Sequence, residues 1–247
     1  MAFQTVFKRY ELKFMLDADQ KQKILAAITP YMIPDKYGRT TIRNIYYDTD
    51  SYILIRRSIE KPIYKEKLRV RSYGRADENS PVFVELKKKY KKVVYKRRVS
   101  LTAKEAAEWL SGKRECPKQS QISKEIDYFL DYYKGLRPTL FLSYEREAYY
   151  ASDGSDFRVT FDDNILCRQE DLTLNSSADG TEVLPKGKVL MEIKCSGGIP
   201  LWMTEILSSE RIYKTSFSKY GTAYRKFIFP QLQSVDTNDY EEEIYAR

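Results

Sequence analysis

Histidine is absent from all 247 residues. That removes imidazole acid–base catalysis, imidazole metal ligation and any phosphohistidine intermediate. Cysteine is scarce: Cys116, Cys167 and Cys195 are odd in number and lack the spacing of a zinc site. A reducing, cytoplasmic setting is expected. No apolar run approaches the ~20 residues that cross a bilayer as a helix, and the N-terminus has no apolar signal-peptide segment. Neither a GxxxxGK[ST] phosphate loop nor a GxGxxG turn occurs. Any enzyme chemistry therefore falls to carboxylates, cations and a metal held by oxygen.

What the chain has instead is positive charge. The formal net charge is +8, and Asp236–Arg247 alone holds five acids and one arginine, so residues 1–235 carry +12. Within Lys61–Ser100, fourteen basic residues face four acids. Such an excess attracts nucleic acid, anionic membrane or phosphate compounds, and composition alone does not choose among them.

The order of elements is that of an α+β chain. Strands are expected at Phe7–Leu16, Thr41–Tyr47, Lys65–Tyr73, Pro81–Lys89, Lys91–Ser100, Thr139–Tyr150, Phe157–Asp162, Thr181–Val183 and Lys188–Lys194. Helices are expected from Asp17 or Asp19 to about Tyr31, from Asp48 towards Ser58, and at Thr102–Ser111, Ser120–Tyr133, Leu201–Ser208 and Ser216–Phe227. Thr102 and Glu105 form a capping-box pattern. Neither a repeat nor a linker marks a boundary, so residues 1–235 read as one domain and 236–247 as an acidic tail. Many short antiparallel-looking strands interspersed with helices point to an antiparallel β-barrel wrapped by helices.

Inside those strands, ionic residues recur two apart: Glu11/Lys13, Arg69/Arg71, Glu85/Lys87, Lys96/Arg98 and Glu192/Lys194, with Tyr144/Arg146 and Arg158/Asp162 on related spacings. Residues two apart on a strand share one face. For a single strand the plain reading is a solvated outer face. Repeated across six or seven strands, with arginine prominent, the pattern instead suits a cationic lumen, which is costly unless an anion fills it. Arginine recognises phosphate bidentately, and a linear oligophosphate matches a long, narrow cationic space. Lys88, Lys89, Lys91 and Lys92 read as a solvated turn, and Arg56, Arg57 and Arg97 as surface.

These motifs, with Arg9-Tyr10-Glu11-Leu12-Lys13, Tyr46-Tyr47-Asp48, Leu68-Arg69-Val70-Arg71, Glu85-Leu86-Lys87, Tyr144-Glu145-Arg146, Phe157–Asp162, Glu192-Ile193-Lys194 and Ser218-Lys219-Tyr220 in this order, resemble the triphosphate tunnel metalloenzyme (CYTH-like) superfamily. More closely, the chain resembles the VTC domain of polyphosphate polymerases, over roughly Phe7 to Phe229. The resemblance implies a tunnel that takes ATP and extends inorganic polyphosphate from its γ-phosphate. By motif, Lys13, Arg69, Arg71, Lys87, Arg146 and Arg158 would clamp phosphates, with Ser218 and Lys219 reaching in from the last helix. Tyr144 would hydrogen-bond beside Arg146, and Lys96 and Arg98 would join the substrate-binding set with Glu11 and Lys194. Glu192 would hold Mn²⁺ or Mg²⁺.

Relative to eukaryotic members the chain lacks a phosphate-sensing SPX domain and membrane spans. A stand-alone form is expected, with a separately encoded membrane partner at the inner face of the membrane left open. The rival readings are a tripolyphosphatase or cyclase-like tunnel enzyme, a non-catalytic polyphosphate binder, and a nucleic-acid-binding module using the Lys87–Arg98 patch. The Glu–Lys pairs on many strands argue against the last, and no nucleic-acid partner is expected.

Overall fold

In the computed structural model, residues 10–91 and 93–233 are described. The beginning of the first expected strand, the Arg9 of its motif, Lys92 and the acidic tail lie outside them. Ten strands follow in chain order: β1 (Tyr10–Leu16), β2 (Met32–Pro34), β3 (Thr40–Asp48), β4 (Tyr64–Tyr73), β5 (Pro81–Tyr90), β6 (Val93–Thr102), β7 (Arg137–Ala151), β8 (Arg158–Arg168), β9 (Thr181–Glu182) and β10 (Val189–Cys195). Between and after them lie α1 (Ala18–Ile28), α2 (Ile53–Ile59), α3 (Ala103–Leu110), α4 (Gln121–Tyr132), α5 (Leu201–Ser209) and α6 (Lys219–Ala223). A π-turn at Tyr224–Ile228 continues α6. Asp17 caps α1 and Thr102 caps α3, each in a reciprocal capping box.

The strands form one antiparallel sheet in the order β1-β10-β8-β7-β3-β4-β5-β6, with β2 on β7 and β9 on β8. The expected antiparallel α+β architecture is present, and its barrel is a curled sheet with an open seam: among the described residues, no ladder joins β1 to β6. The curl still brings the two ends together, since Lys87 on β5 reaches Glu11 on β1 at 3.3 Å. The free edge of β1 is taken by the segment before α6, through a Phe14–Lys214 bridge and a hydrogen bond from Thr215 N to Lys13 O (2.7 Å). A chain strap covers that edge where a closing strand would otherwise pair.

The alternation of side chains divides the sheet into two chemistries. On the outer face, Leu68, Val70, Val84, Leu86 and Val99 pack beneath α3 and α4, around Trp109, Ile126 and Phe129. Phe14, Val159, Phe161, Met191 and Ile193 pack beneath α1 and α5 in the same way. Each fully buried aliphatic side chain contributes about 1.5–3 kcal/mol. The inner face is half apolar: Ile42, Tyr46, Leu140, Leu142 and Leu190 meet Tyr220 and Ala223 of α6 and Ile55 of α2. This plug fills one part of the concavity and leaves the remainder to charged side chains.

Asp48 fixes the plug. Its buried carboxylate accepts from Thr49 N (2.9 Å), Leu54 N (2.9 Å), Ile55 N (3.0 Å) and the Tyr220 hydroxyl (3.0 Å), so it seats both α2 and α6 on the end of β3. Asp48→Ala is expected to lower stability by about 2–4 kcal/mol, because buried donors then lose an acceptor. The urea unfolding midpoint measures it.

Candidate active site

Ladder register shows that the ionic residues share the inner face. Glu11 faces Lys194 and Lys13 faces Glu192 across β1 and β10, while Lys194 faces Arg158 and Glu192 faces Thr160 across β10 and β8. Arg146 faces Asp162. On the other wing, Asn44 faces Arg71, Tyr46 faces Arg69, Arg69 faces Glu85, Glu85 faces Arg98, and Lys87 faces Lys67 and Lys96. Directly opposed residues point to the same side of a sheet, so the separate i, i+2 pairs belong to one surface.

Two buried carboxylates organise that surface. Glu85, 1% exposed, accepts from Arg69 Nη2 (2.7 Å) and Arg98 Nε (2.8 Å), pairs with Lys96 (2.7 Å) and lies 4.0 Å from Arg71. Burial raises its proton affinity, but the four surrounding cations prevail and hold the carboxyl well below the usual range. Glu192, 5% exposed, is approached by Lys194 (2.9 Å), Lys13 (3.2 Å), Lys219 (3.5 Å) and Arg146 (3.6 Å). It is held well down by the same contest between burial and these cations. Asp162 beside it takes a bidentate contact from Arg146 (both 2.6 Å) and one from Lys219 (2.5 Å).

The remaining expected residues fall into place around these centres. Lys13 also touches Glu11 at 3.3 Å and donates to Phe217 O at 3.0 Å. Ser218 caps α6, its hydroxyl accepting from Gly221 N. Tyr144 differs from expectation: its hydroxyl accepts from Arg71 Nη2 (2.9 Å), while the Arg146 guanidinium lies over its ring at 5.1 Å. Arg158 stacks on Tyr150 (4.5 Å), and its Nε is buried without a hydrogen-bond partner, as is Thr160 Oγ1 on the next inner position. In all, eleven lysines and arginines meet four carboxylates (Glu11, Glu85, Asp162 and Glu192) on this surface.

The VTC domain family model matches residues 8–228. The chain belongs to the VTC domain family. Its fold is the CYTH-like triphosphate-tunnel fold. The VTC domain superposes on a candidate adenylate cyclase from Bacillus halodurans with a TM-score of 0.55 at 16% identity, covering 91% of this chain and 100% of that one. A candidate adenylyl cyclase from Hippeastrum with a dominant triphosphatase activity aligns at a TM-score of 0.49 and 15% identity, covering 87% of this chain and 94% of that one. No curated protein matches the chain. Among the described residues, no helix is long and apolar enough to cross a membrane.

The structure adds residues to the candidate site that sequence reasoning missed. Lys67 continues the Arg69/Arg71 row and donates to Ser218 Oγ at 3.1 Å, tying β4 to α6. Its position two before Arg69 was the available signal. Asn44, through Oδ1, and Tyr46, through its hydroxyl, hold Arg71 and Arg69 respectively. Lys89, expected in a solvated turn, instead pairs with Lys65 in register, so these two lysines extend the inner face beyond the eleven cations counted above, towards the β5–β6 turn. Arg97, expected on the surface, is tied to Glu125 of α4 at 3.0 Å.

Crowding marks two lysines. Burial, then the neighbouring charges of Lys87, Lys65, Lys13 and Arg69, push Lys67 down to about 7. Lys96 is pushed down to about 7 chiefly by burial, with Arg98, Arg69 and Arg71 outweighing part of what Glu85 returns. A bound polyanion raises both. Affinity of this surface for a polyanion, with tripolyphosphate as the probe, is then expected to be greatest below about pH 7, where both lysines are already charged in the free protein. It falls as pH rises towards their values in the complex, by up to tenfold per unit per lysine. Calorimetry at pH 8 in two buffers of different ionisation enthalpy should show proton uptake on binding, reduced by up to one proton in Lys67→Met.

Proposed function

We propose that this VTC domain is a polyphosphate polymerase, transferring the γ-phosphate of ATP to the end of a growing inorganic polyphosphate chain. The observation that carries the reading is the single inner surface on which eleven cations outnumber four carboxylates, with Arg158 Nε and Thr160 Oγ1 buried and partnerless beside Glu192. A linear phosphate chain supplies both the missing negative charge and the missing acceptors. The comparisons support a protein of the triphosphate-tunnel class; the polymerase step is our extension of that class to this site.

Phosphoryl transfer asks a protein for positioning and charge neutralisation more than for covalent chemistry. Arg69 and Arg71 are held by Glu85, Tyr46, Asn44 and Tyr144, so their guanidinium groups are oriented before substrate arrives. Arg146 and Lys219 are held by Asp162 in the same manner. Lys13, Lys87, Lys96, Arg98, Arg158 and Lys194 complete the charge around the chain, and Ser218 presents a hydroxyl at the α6 end. The acceptor is a terminal phosphate already ionised at neutral pH, so the lack of histidine is no handicap.

Among the described residues no three His, Cys, Asp or Glu side chains converge as a metal cage. The donor set fits the other common arrangement, in which one or two carboxylates and several phosphate oxygens share a divalent ion. Glu192 is the carboxylate so placed, with Glu11 adjacent through their shared contact to Lys13. Glu192 would hold Mn²⁺ or Mg²⁺, which would supply neutralisation of phosphate charge.

Purified protein with ATP and Mn²⁺ should yield long chains that resist nucleases and disappear with an exopolyphosphatase. Release of orthophosphate from tripolyphosphate without chain growth would identify a hydrolase instead, and tight RNA binding that tripolyphosphate does not displace would end the tunnel reading. Arg158→Ala should cut kcat/KM by 10- to 1000-fold with the thermal midpoint nearly unchanged, since Arg158 Nε has no partner in the protein to lose.

A further inference from the structure

The two carboxylate centres of the tunnel are not equivalent. Glu192 has other acids beside it, with Asp162 sharing Lys219 and Arg146, and Glu11 sharing Lys13. Glu85 stands alone among cations: its contacts are Arg69, Arg71, Lys96 and Arg98, and its two oxygens are divided between the β4 and β6 sides. Both carboxylates have their two oxygens engaged by cations, but Glu85 has no second carboxylate among its contacts to share a metal, and this sets it apart from Glu192 as a holder of a divalent ion. Glu85 is nevertheless almost fully buried, in the middle of the surface that has too few negative charges.

We infer that Glu85 is a fixed counter-anion, competing with the phosphate chain for Arg69, Arg71, Lys96 and Arg98 so that product passes along the tunnel without being trapped. The inference rests on the tunnel reading proposed above. A polyanion threading through a row of cations meets a conflict common to conducting pores: sites strong enough to draw it in must be weak enough to release it. Four uncompensated cations in a low-dielectric wall would hold a phosphate very tightly. The Glu85 carboxylate replaces that phosphate in the free protein, and each guanidinium taken by the chain is one that Glu85 can reclaim as the chain advances. It also keeps the four cations preorganised, since without a central anion their repulsion would drive the side chains apart. Glu85 is thus a positioning residue acting through the arginines, and one that sets the strength of substrate binding.

The test is Glu85→Gln, which keeps shape and removes charge. Binding of tripolyphosphate is measured by calorimetry at low ionic strength, and chain synthesis is followed with ATP and Mn²⁺. The variant is expected to bind tripolyphosphate at least tenfold more tightly than wild type, to gain a larger ligand-induced rise in thermal midpoint, and to show KM and kcat falling together as product release slows. A merely structural role would move KM the other way, because disordered arginines bind more weakly. A folded Glu85→Gln protein that binds tripolyphosphate no better than wild type overturns the inference. Should Glu85→Gln fail to fold, the comparison is made on an Arg98→Gln background, where total charge is restored. There the added Glu85→Gln change is expected to tighten binding at least tenfold relative to Arg98→Gln alone, and equal or weaker binding, or a double variant that also fails to fold, overturns the proposal. Wild-type protein that binds no tripolyphosphate overturns the tunnel function itself, a result separate from any difference between variants.

Discussion

Repulsion among the cations of the inner surface is the constraint on which the rest of the structure depends. Eleven ammonium and guanidinium groups in one concavity would force the sheet open if nothing opposed them, and burial makes each charge more expensive. Opposition comes from few but well-placed acids. Glu85 binds the β4 and β6 wings together, while Glu192 and Asp162 bind β1, β7, β8 and β10 to α6. The Glu11–Lys87 contact joins the two wings across the seam that no ladder closes. Charge pairs therefore perform, on the inside, part of the closing that hydrogen bonds perform in a complete barrel.

The outer layers make this electrostatic economy tolerable. Apolar faces beneath α1, α3, α4 and α5 are ordinary packed core, on the side of the sheet opposite the ionic surface. The inner plug of Tyr46, Leu140 and Tyr220 is different, because it abuts the charges directly. Tyr46 packs in the plug, stacks on Tyr220 (4.6 Å) and turns its hydroxyl to Arg69. Three consecutive residues of α6 and its cap then divide the labour: Ser218 meets Lys67, Lys219 meets Asp162 and Glu192, and Tyr220 meets Asp48. One short helix thus couples both wings of the ionic surface to the hydrophobic plug.

Much of this was legible in the chain because strand geometry is so regular. The spacing of Arg69/Arg71, Glu85/Lys87 and Glu192/Lys194 is enough to put each pair on one face, and the alternating apolar residues identify the other face as core. Which faces meet is a matter of register, and register is a property of pairing that no single strand contains. Lys67 and Lys89 illustrate the cost: both lie on the alternation, yet local lysine density hides them among solvated neighbours. Asp162 was visible only as a residue four from Arg158, whereas its bidentate hold on Arg146 needs the β7–β8 ladder. The open seam was equally hidden, since it depends on the segment before α6 reaching the edge of β1.

The same distinction separates the two kinds of cation on the surface. Arg69, Arg71, Arg146 and Lys219 are locked by acids, tyrosines or Asn44, and have little freedom left. Arg158 leans on an aromatic ring with its Nε unmet, and Lys67 and Lys96 sit where protonation is costly. Locked cations lose little entropy when an anion arrives, which favours orientation. Frustrated ones gain most from its charge, which favours affinity. On the polymerase reading proposed above, a tunnel that aligns a phosphoryl group and keeps drawing in a long polyanion would need the two kinds side by side, and the alternation of acids along these strands is what produces them.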